Sequence, residues 1–172
     1  MNLPWSGQGK EKGKAAKGAM GGVFGKSIEE LQQNGPLVPL ILMECISFLN
    51  KESRLRTEGL FRVSPNYREL EELKLLFKDP GEMVLLEERT TNPHNVAGLM
   101  KAWFAQLSDP VFSFDIYQPL IDVFRSTVSE PGLINFFQKV IRKIPEDRRC
   151  ILQLLFEVHH NSCNIDLPFC NV

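Results

Sequence analysis

The dipeptide Asn92-Pro93 constrains this chain more than any other stretch. Asparagine is among the strongest helix N-caps. Proline suits the first helical position, where a backbone N–H is not needed. Apolar residues then return at helical spacing at Val96, Leu99, Met100, Trp103 and Leu107, and Phe104 widens that face. His94, Gly98, Lys101 and Ala105 fall along the other side, so Lys101 is expected to meet solvent or a partner. Ser108-Asp109-Pro110 stops the helix. An amphipathic helix with fixed ends buries its stripe only against another apolar surface. No stretch of the chain alternates as a half-buried strand, so that surface must come from other helices. The fold class is therefore all-α, a multi-helix bundle, and no internal repeat is visible.

The remaining segments agree. Residues 1–22 are rich in Gly, Ala and Lys and hold too few apolar residues for a core, so they read as a disordered tail. Folded structure starts at Val23-Phe24-Gly25. Ser27 and Glu30 have capping-box spacing for a short helix through about Gln33, which Asn34-Gly35-Pro36 breaks. A core helix then runs from Leu37 to Asn50, with Val38, Leu42, Cys45 and Leu49 on one face and Ile41 and Phe48 beside it. Asn66, with Glu69 at the reciprocal position, caps a helix whose stripe is Leu70, Leu73, Leu76 and Phe77, ending at Asp79-Pro80-Gly81. Met83, Val84, Leu85 and Leu86 lie in an irregular connector and are expected to cover the core. Further helices are patterned by Ile116, Leu120, Val123 and Phe124, and by Leu133, Ile134, Phe137, Val140 and Ile141. A last one follows Pro145 with Ile151, Leu152, Leu154, Leu155 and Val158. Periodicity fades at Asn161, so residues 161–172 read as an irregular tail and the domain as residues 23–160.

Composition excludes several function classes. A formal net charge of −1 gives no whole-molecule field toward nucleic acid or an anionic membrane. No apolar run approaches the roughly 20 residues of a membrane span, and the first residues lack a signal-peptide core. Cys45, Cys150, Cys163 and Cys170 show neither a disulfide framework nor metal spacing, which suits a reducing cytoplasm. A zinc site from His159, His160, Cys163 and Cys170 fits none of the usual patterns. No cofactor motif is present. As stand-alone catalytic sets, His159, His160 and Cys163, or the carboxylates Glu87 and Glu88, lack a converging constellation and read as solvated surface.

One motif carries chemistry. Glu58-Gly59-Leu60-Phe61-Arg62-Val63-Ser64-Pro65-Asn66 sets one arginine on a short turn between two helical segments. Gly59 loosens the backbone before it, while Leu60, Phe61 and Val63 read as anchors that leave Arg62 projecting. A guanidinium so presented offers a rigid fork to phosphate or carboxylate.

These stretches, in this order, resemble the Rho GTPase-activating (RhoGAP) domain family. Val23-Phe24-Gly25 with Ile28-Glu29-Glu30-Leu31, then Thr57-Glu58-Gly59-Leu60-Phe61-Arg62-Val63-Ser64, is similar to the start of that domain. Asn95-Val96-Ala97-Gly98-Leu99-Met100-Lys101-Ala102-Trp103-Phe104, continuing to Leu107-Ser108-Asp109-Pro110, is similar to its second signature. Lys143-Ile144-Pro145 resembles the stretch beyond it, and the likeness spans residues 23–160. The resemblance implies a partner, a GTP-bound Rho-family small GTPase, and a role for Arg62 as an arginine finger inserted in trans. It implies that Lys101 supports the arginine loop and the contact surface, and that Gly59, Phe61 and Asn66 contribute to loop and contact. The chain would then act on its partner's active site and not as a hydrolase itself. It assigns no cofactor and no oligomeric state.

Two departures stand out. Many relatives carry an arginine one helical turn after the signature lysine, where this chain has Ala105. The family also continues past the last helix with a segment carrying an Asn-x-Met motif, onto which neither Asn161 nor Asn164 maps. The expectation is a domain lacking its last helical region, with Leu167 and Phe169 folding back over part of the gap. Two readings follow: an activator working through Arg62, or a docking or decoy module that binds a GTPase without accelerating hydrolysis.

Overall fold

A computed structural model describes residues 22–33, 36–126 and 129–164. Helices α1 (Ile28–Gln32), α2 (Leu40–Leu49), α3 (Glu52–Leu55) and α4 (Tyr67–Lys74) come first. A 3-10 turn at Leu86–Glu88 leads to α5 (Pro93–Gln106), α6 (Phe114–Arg125), α7 (Glu130–Lys143) and α8 (Glu146–Asn164). No strand occurs among the described residues, and the class is all-α as the patterning requires. None of the described helices is long and apolar enough to cross a membrane. Most of the tail expected over residues 1–22, the Asn34-Gly35 break, and Leu167, Phe169 and Cys170 lie outside the described residues.

The caps act locally. Ser27 Oγ accepts the Glu30 N–H at 3.1 Å, and the Glu30 carboxylate accepts the Ser27 N–H at 2.7 Å, a complete capping box for α1. Asn92 Oδ1 accepts the His94 N–H at 3.0 Å with Pro93 at the first helical position of α5.

Several boundaries differ from the sequence expectation. Helix α2 starts at Leu40 and not at Leu37, because Pro39 sits extended at its N-cap and restricts the residue before it. Helix α4 ends at Lys74, well before Asp79. Tight turns follow, with Leu76 N–H on Leu73 O at 3.1 Å and Phe77 N–H on Lys74 O at 3.2 Å, and the Phe77 carbonyl then accepts the Val23 N–H at 3.2 Å. A long-range partner thus occupies a carbonyl that a continuing helix would need. In the connector only Val84 and Leu86 are buried, while Met83 and Leu85 are exposed. That alternation is the period of extended chain, so the four residues do not cover the core together. On α7 only Val140 is buried, and Ile134 and Ile141 are exposed. Helix α8 continues through Asn164, so residues 161–164 are helical and not irregular. No glycine or proline stands between Val158 and Asn164, and residues of ordinary helix propensity extend a helix that is already nucleated. Asn161 Nδ2 also donates to Asn50 Oδ1 at 3.2 Å.

The main core gathers around α2, which packs on α5, α8 and the 3-10 turn, while α4 packs on α5. Trp103, Phe48 and Phe77 are its largest fully buried side chains. Burial pushes the Cys45 thiol well above its ordinary range, so it stays protonated and serves as packing. A smaller cluster of Ile116, Val140 and Ile144, with Phe112, Leu120, Phe136 and Leu152 against it, joins α6, α7 and the start of α8.

Arg148 ties α8 to the rest. It is 6% exposed and bonds the Pro110 carbonyl at 2.5 Å, Glu29 at 2.7 Å and the Asp109 carboxylate. One guanidinium thereby joins α1, the α5–α6 turn and α8. The Arg148 hydrogen bond is the main cause that holds the Glu29 carboxyl below its ordinary value of 4.5, followed by a backbone bond. A depressed folded-state pKa gives stability that is present above the unfolded value and lost as pH falls through the folded one. Glu29 is more than half exposed, so screening keeps its share small. Arg148→Met is expected to lower stability at neutral pH by about 1–3 kcal/mol, the range for hydrogen bonds to charged groups. It also flattens the loss of stability between about pH 5 and pH 3. Urea unfolding at the two ends of that interval measures both effects.

Candidate functional site

The Gly59–Asn66 loop begins with a turn in which the Leu60 N–H reaches Thr57 O at 3.2 Å. Gly59 has φ +67°, at the position of that turn where a positive φ calls for glycine. Its carbonyl then accepts both the Arg62 and the Val63 N–H at 2.8 Å. The loop is a wound turn, tighter than a backbone merely loosened by glycine. Leu60 is buried and Phe61 half-buried, so both anchor it, but Val63 is 43% exposed and does not. A Cβ at Gly59 would lie 3.0 Å from Val63 Cγ2, which shows Val63 folded back over the turn. The Arg62 side chain is exposed and makes no hydrogen bond or ion pair among the described residues.

Helix α5 holds this loop at three points spaced three residues apart. Lys101 Nζ donates to the Phe61 carbonyl at 2.9 Å, directly beside Arg62. Gly98 receives the Pro65 ring, and a Cβ there would lie 2.5 Å from Pro65 Cγ. Asn95 Oδ1 accepts the Asn66 N–H at 2.9 Å, and its Nδ2 donates to the Glu69 carboxylate. Asn66 itself caps α4 by accepting from the Arg68 N–H at 3.0 Å and the Glu69 N–H at 3.4 Å. Glu69 does not reach back to the Asn66 N–H as a capping box requires, because Asn95 stands between them. Gly98 and Asn95 are buried, so Gly98 does not lie on the outer side with His94 and Lys101. Asn95 carries no apolar signal, and its place in the interior is visible only once α4 is packed on α5.

Of the expected site residues, Arg62, Gly59, Phe61, Asn66 and Lys101 thus share one loop and the helix side beneath it. A groove of about 340 Å³ opens next to them, lined by Phe61, Met100, Lys101, Phe104, Phe156 and Val158. Ala105 is exposed on α5, one turn after Lys101.

Among the described residues the other candidate sets do not converge. Glu87 is occupied by Lys51 at 2.6 Å and Arg54 at 3.3 Å, and the Lys51 hydrogen bond lowers its carboxyl pKa. That is the opposite of what a general acid at neutral pH requires. His159 and His160 stand on α8 well before its end, while the Cys163 side chain and Cys170 lie outside the described residues. Among the described residues no group of three or more His, Cys, Asp and Glu is placed to hold a metal.

Residues 39–163 match the RhoGAP domain family. The chain belongs to that family. Among curated proteins it is 33% identical over 138 residues to Rho GTPase-activating protein gacJ of Dictyostelium discoideum, covering 78% of this chain and 15% of that protein. It is 30% identical over 138 residues to human Bargin, covering 78% of this chain and 20% of that one. It is 29% identical over 129 residues to mouse Rho GTPase-activating protein 35, covering 73% of this chain and 8% of the relative. The RhoGAP match therefore concerns a small part of each relative's length. The crystal structure of human Rho GTPase activating protein 15 shares the fold with a TM-score of 0.75 at 19% identity, covering 84% of this chain and 68% of that one.

The contact between Gly98 and Pro65 makes a prediction with an unusual sign. Glycine to alanine inside a helix ordinarily stabilises by about 0.5–1 kcal/mol. Here the new methyl would overlap the proline ring, and overpacking of that kind costs about 1–3 kcal/mol. Gly98→Ala is expected to lower the melting temperature. A rise would show that the loop does not rest on α5 at this point.

Proposed function

We propose that this RhoGAP domain accelerates GTP hydrolysis on a GTP-bound Rho-family small GTPase by supplying Arg62 in trans. The observation that carries the reading is an exposed arginine, without a side-chain hydrogen bond or ion pair among the described residues, on a turn whose adjacent carbonyl is fixed to α5 by Lys101. In phosphoryl transfer, negative charge spreads over the transferred group and the leaving oxygen. A guanidinium set against those oxygens stabilises the transition state more than the ground state. Its fork also gives directional hydrogen bonds that a lysine ammonium lacks. The Phe61–Lys101–Phe104 side of the molecule supplies the neighbouring surface on which the GTPase docks. The chemistry belongs to the partner's nucleotide site, so the domain is an activator and not a hydrolase, and it meets its partner in the cytoplasm.

A second reading is favoured by Ala105. A missing arginine at that exposed position removes one cation from the docking face, and a domain that binds without accelerating hydrolysis would result if docking became imprecise. Single-turnover GTP hydrolysis by a panel of Rho-family GTPases, with and without the domain, separates the two readings. Acceleration by the wild-type chain, lowered by about 10³-fold in Arg62→Ala and only partly recovered in Arg62→Lys, supports the activator. Binding to GTP-loaded GTPase without acceleration selects the docking module. Equal acceleration by Arg62→Ala would sink the role assigned to that residue.

A further inference from the structure

We propose that Asn95 is a positioning residue for Arg62, clamping the far end of the arginine loop from inside the core. The inference rests on the reading of Arg62 as the working group and adds a residue to it. Asn95 is 0% exposed, on a helix side otherwise built from Val96, Leu99 and Trp103. A buried amide is tolerated only where its polar atoms are paired. Both of its polar atoms are paired, and both partners lie at the start of α4. The carbonyl oxygen takes the Asn66 N–H at 2.9 Å, and the amide nitrogen serves the Glu69 carboxylate.

The bridge replaces the direct bond that Glu69 would make in a capping box, and so transfers the end of the loop from α4 to α5. At the other end Lys101 holds the Phe61 carbonyl at 2.9 Å. Arg62 therefore lies between two points fixed to one rigid helix, with Gly98 seating Pro65 between them. Ordering a free loop costs backbone entropy, and a loop already ordered avoids that cost when the arginine meets the phosphates. Loosening the clamp at Asn95 should weaken the transition-state interaction more than the docking of the two proteins, since Asn95 is buried and is not part of the Phe61–Lys101–Phe104 surface.

The experiment is a set of variants assayed at saturating and subsaturating domain. Asn95→Asp sets two carboxylates face to face and is expected to reduce the maximal stimulated rate by about 10²-fold, the effect of misplacing a reacting group by an ångström or so. The domain concentration giving half of that rate should change by no more than about threefold, as expected when only the transition-state interaction is lost. Adding Glu69→Gln to Asn95→Asp restores the bond between positions 95 and 69 with donor and acceptor exchanged, while the Asn66 N–H keeps its oxygen acceptor throughout, and should return the rate to near the wild-type value. In an Arg62→Ala background, Asn95→Asp should have no further effect on the rate. If the paired variant melts as the wild type does but stays slow, or if Asn95→Asp raises the half-saturating concentration and spares the maximal rate, Asn95 does not position the arginine. If Arg62→Ala alone leaves the rate intact, the reading of Arg62 falls instead, so the two failures are distinct.

Discussion

The geometry of the arginine loop depends on the register of a single helix. Asn95, Gly98 and Lys101 follow one another at intervals of three residues, each step rising about 4.5 Å along α5. The loop runs past them in the opposite sense, offering first the Phe61 carbonyl, then the Pro65 ring, then the Asn66 N–H. Three contacts of different chemistry fix it: a charge-assisted hydrogen bond, a close steric fit and a buried amide. None carries large energy alone, since a net hydrogen bond is worth about 0.5–1.5 kcal/mol. Together they remove the freedom of a segment whose own internal bonds, two N–H groups on the Gly59 carbonyl, shape a turn but cannot orient it against the domain.

A clamp is as rigid as the helix that carries it. Helix α5 is buried over consecutive residues from Asn95 to Met100, pressed by α2 on one side and α4 on another. Trp103 at 1% exposure closes the lower part of the same core. Farther out, α6 and α7 belong to a smaller cluster, and Arg148 links their side of the molecule to α1 and to the end of α5 through Asp109 and Pro110. The loop thus sits on a well-buried element of the main core, while the half of the bundle built on the smaller cluster joins through a charged bridge.

Elements whose cause is local were legible in the sequence. The Ser27–Glu30 box and the Asn92-Pro93 start need only neighbouring residues, and both form as their residue types dictate. Features decided by distant partners were not. Helix α4 gives way after Lys74 to tight turns, and beyond them a distant partner, the Val23 N–H, takes the Phe77 carbonyl. Val63 stays exposed because it folds back over the turn wound by Gly59 instead of reaching the core, although its type suits the interior. Glu69 had the right spacing for a reciprocal cap, but a side chain 26 positions downstream intercepts it. Asn95 is the clearest case: one amide in an apolar helix carries no periodic signal, and its meaning appears only when the Asn66 N–H and the Glu69 carboxylate are brought to it.

On the proposed reading, this arrangement separates the placement of charge from the strength of docking. The Lys101 ammonium turns inward to the loop carbonyl, so its bond belongs to the domain's own structure. Ala105, one turn further along, is exposed and is not one of the three clamp residues. Cations at such exposed positions act mainly on encounter rate and partner choice, through fields that salt screens. A change there alters how often, and with which GTPase, the domain docks, yet leaves Arg62 held as before. The reverse also follows: a change at Asn95 or Gly98 is hidden from the partner and alters only where the guanidinium stands once docking has occurred. Affinity and catalytic alignment can vary independently because Ala105 is exposed on α5 whereas Asn95 and Gly98 are buried.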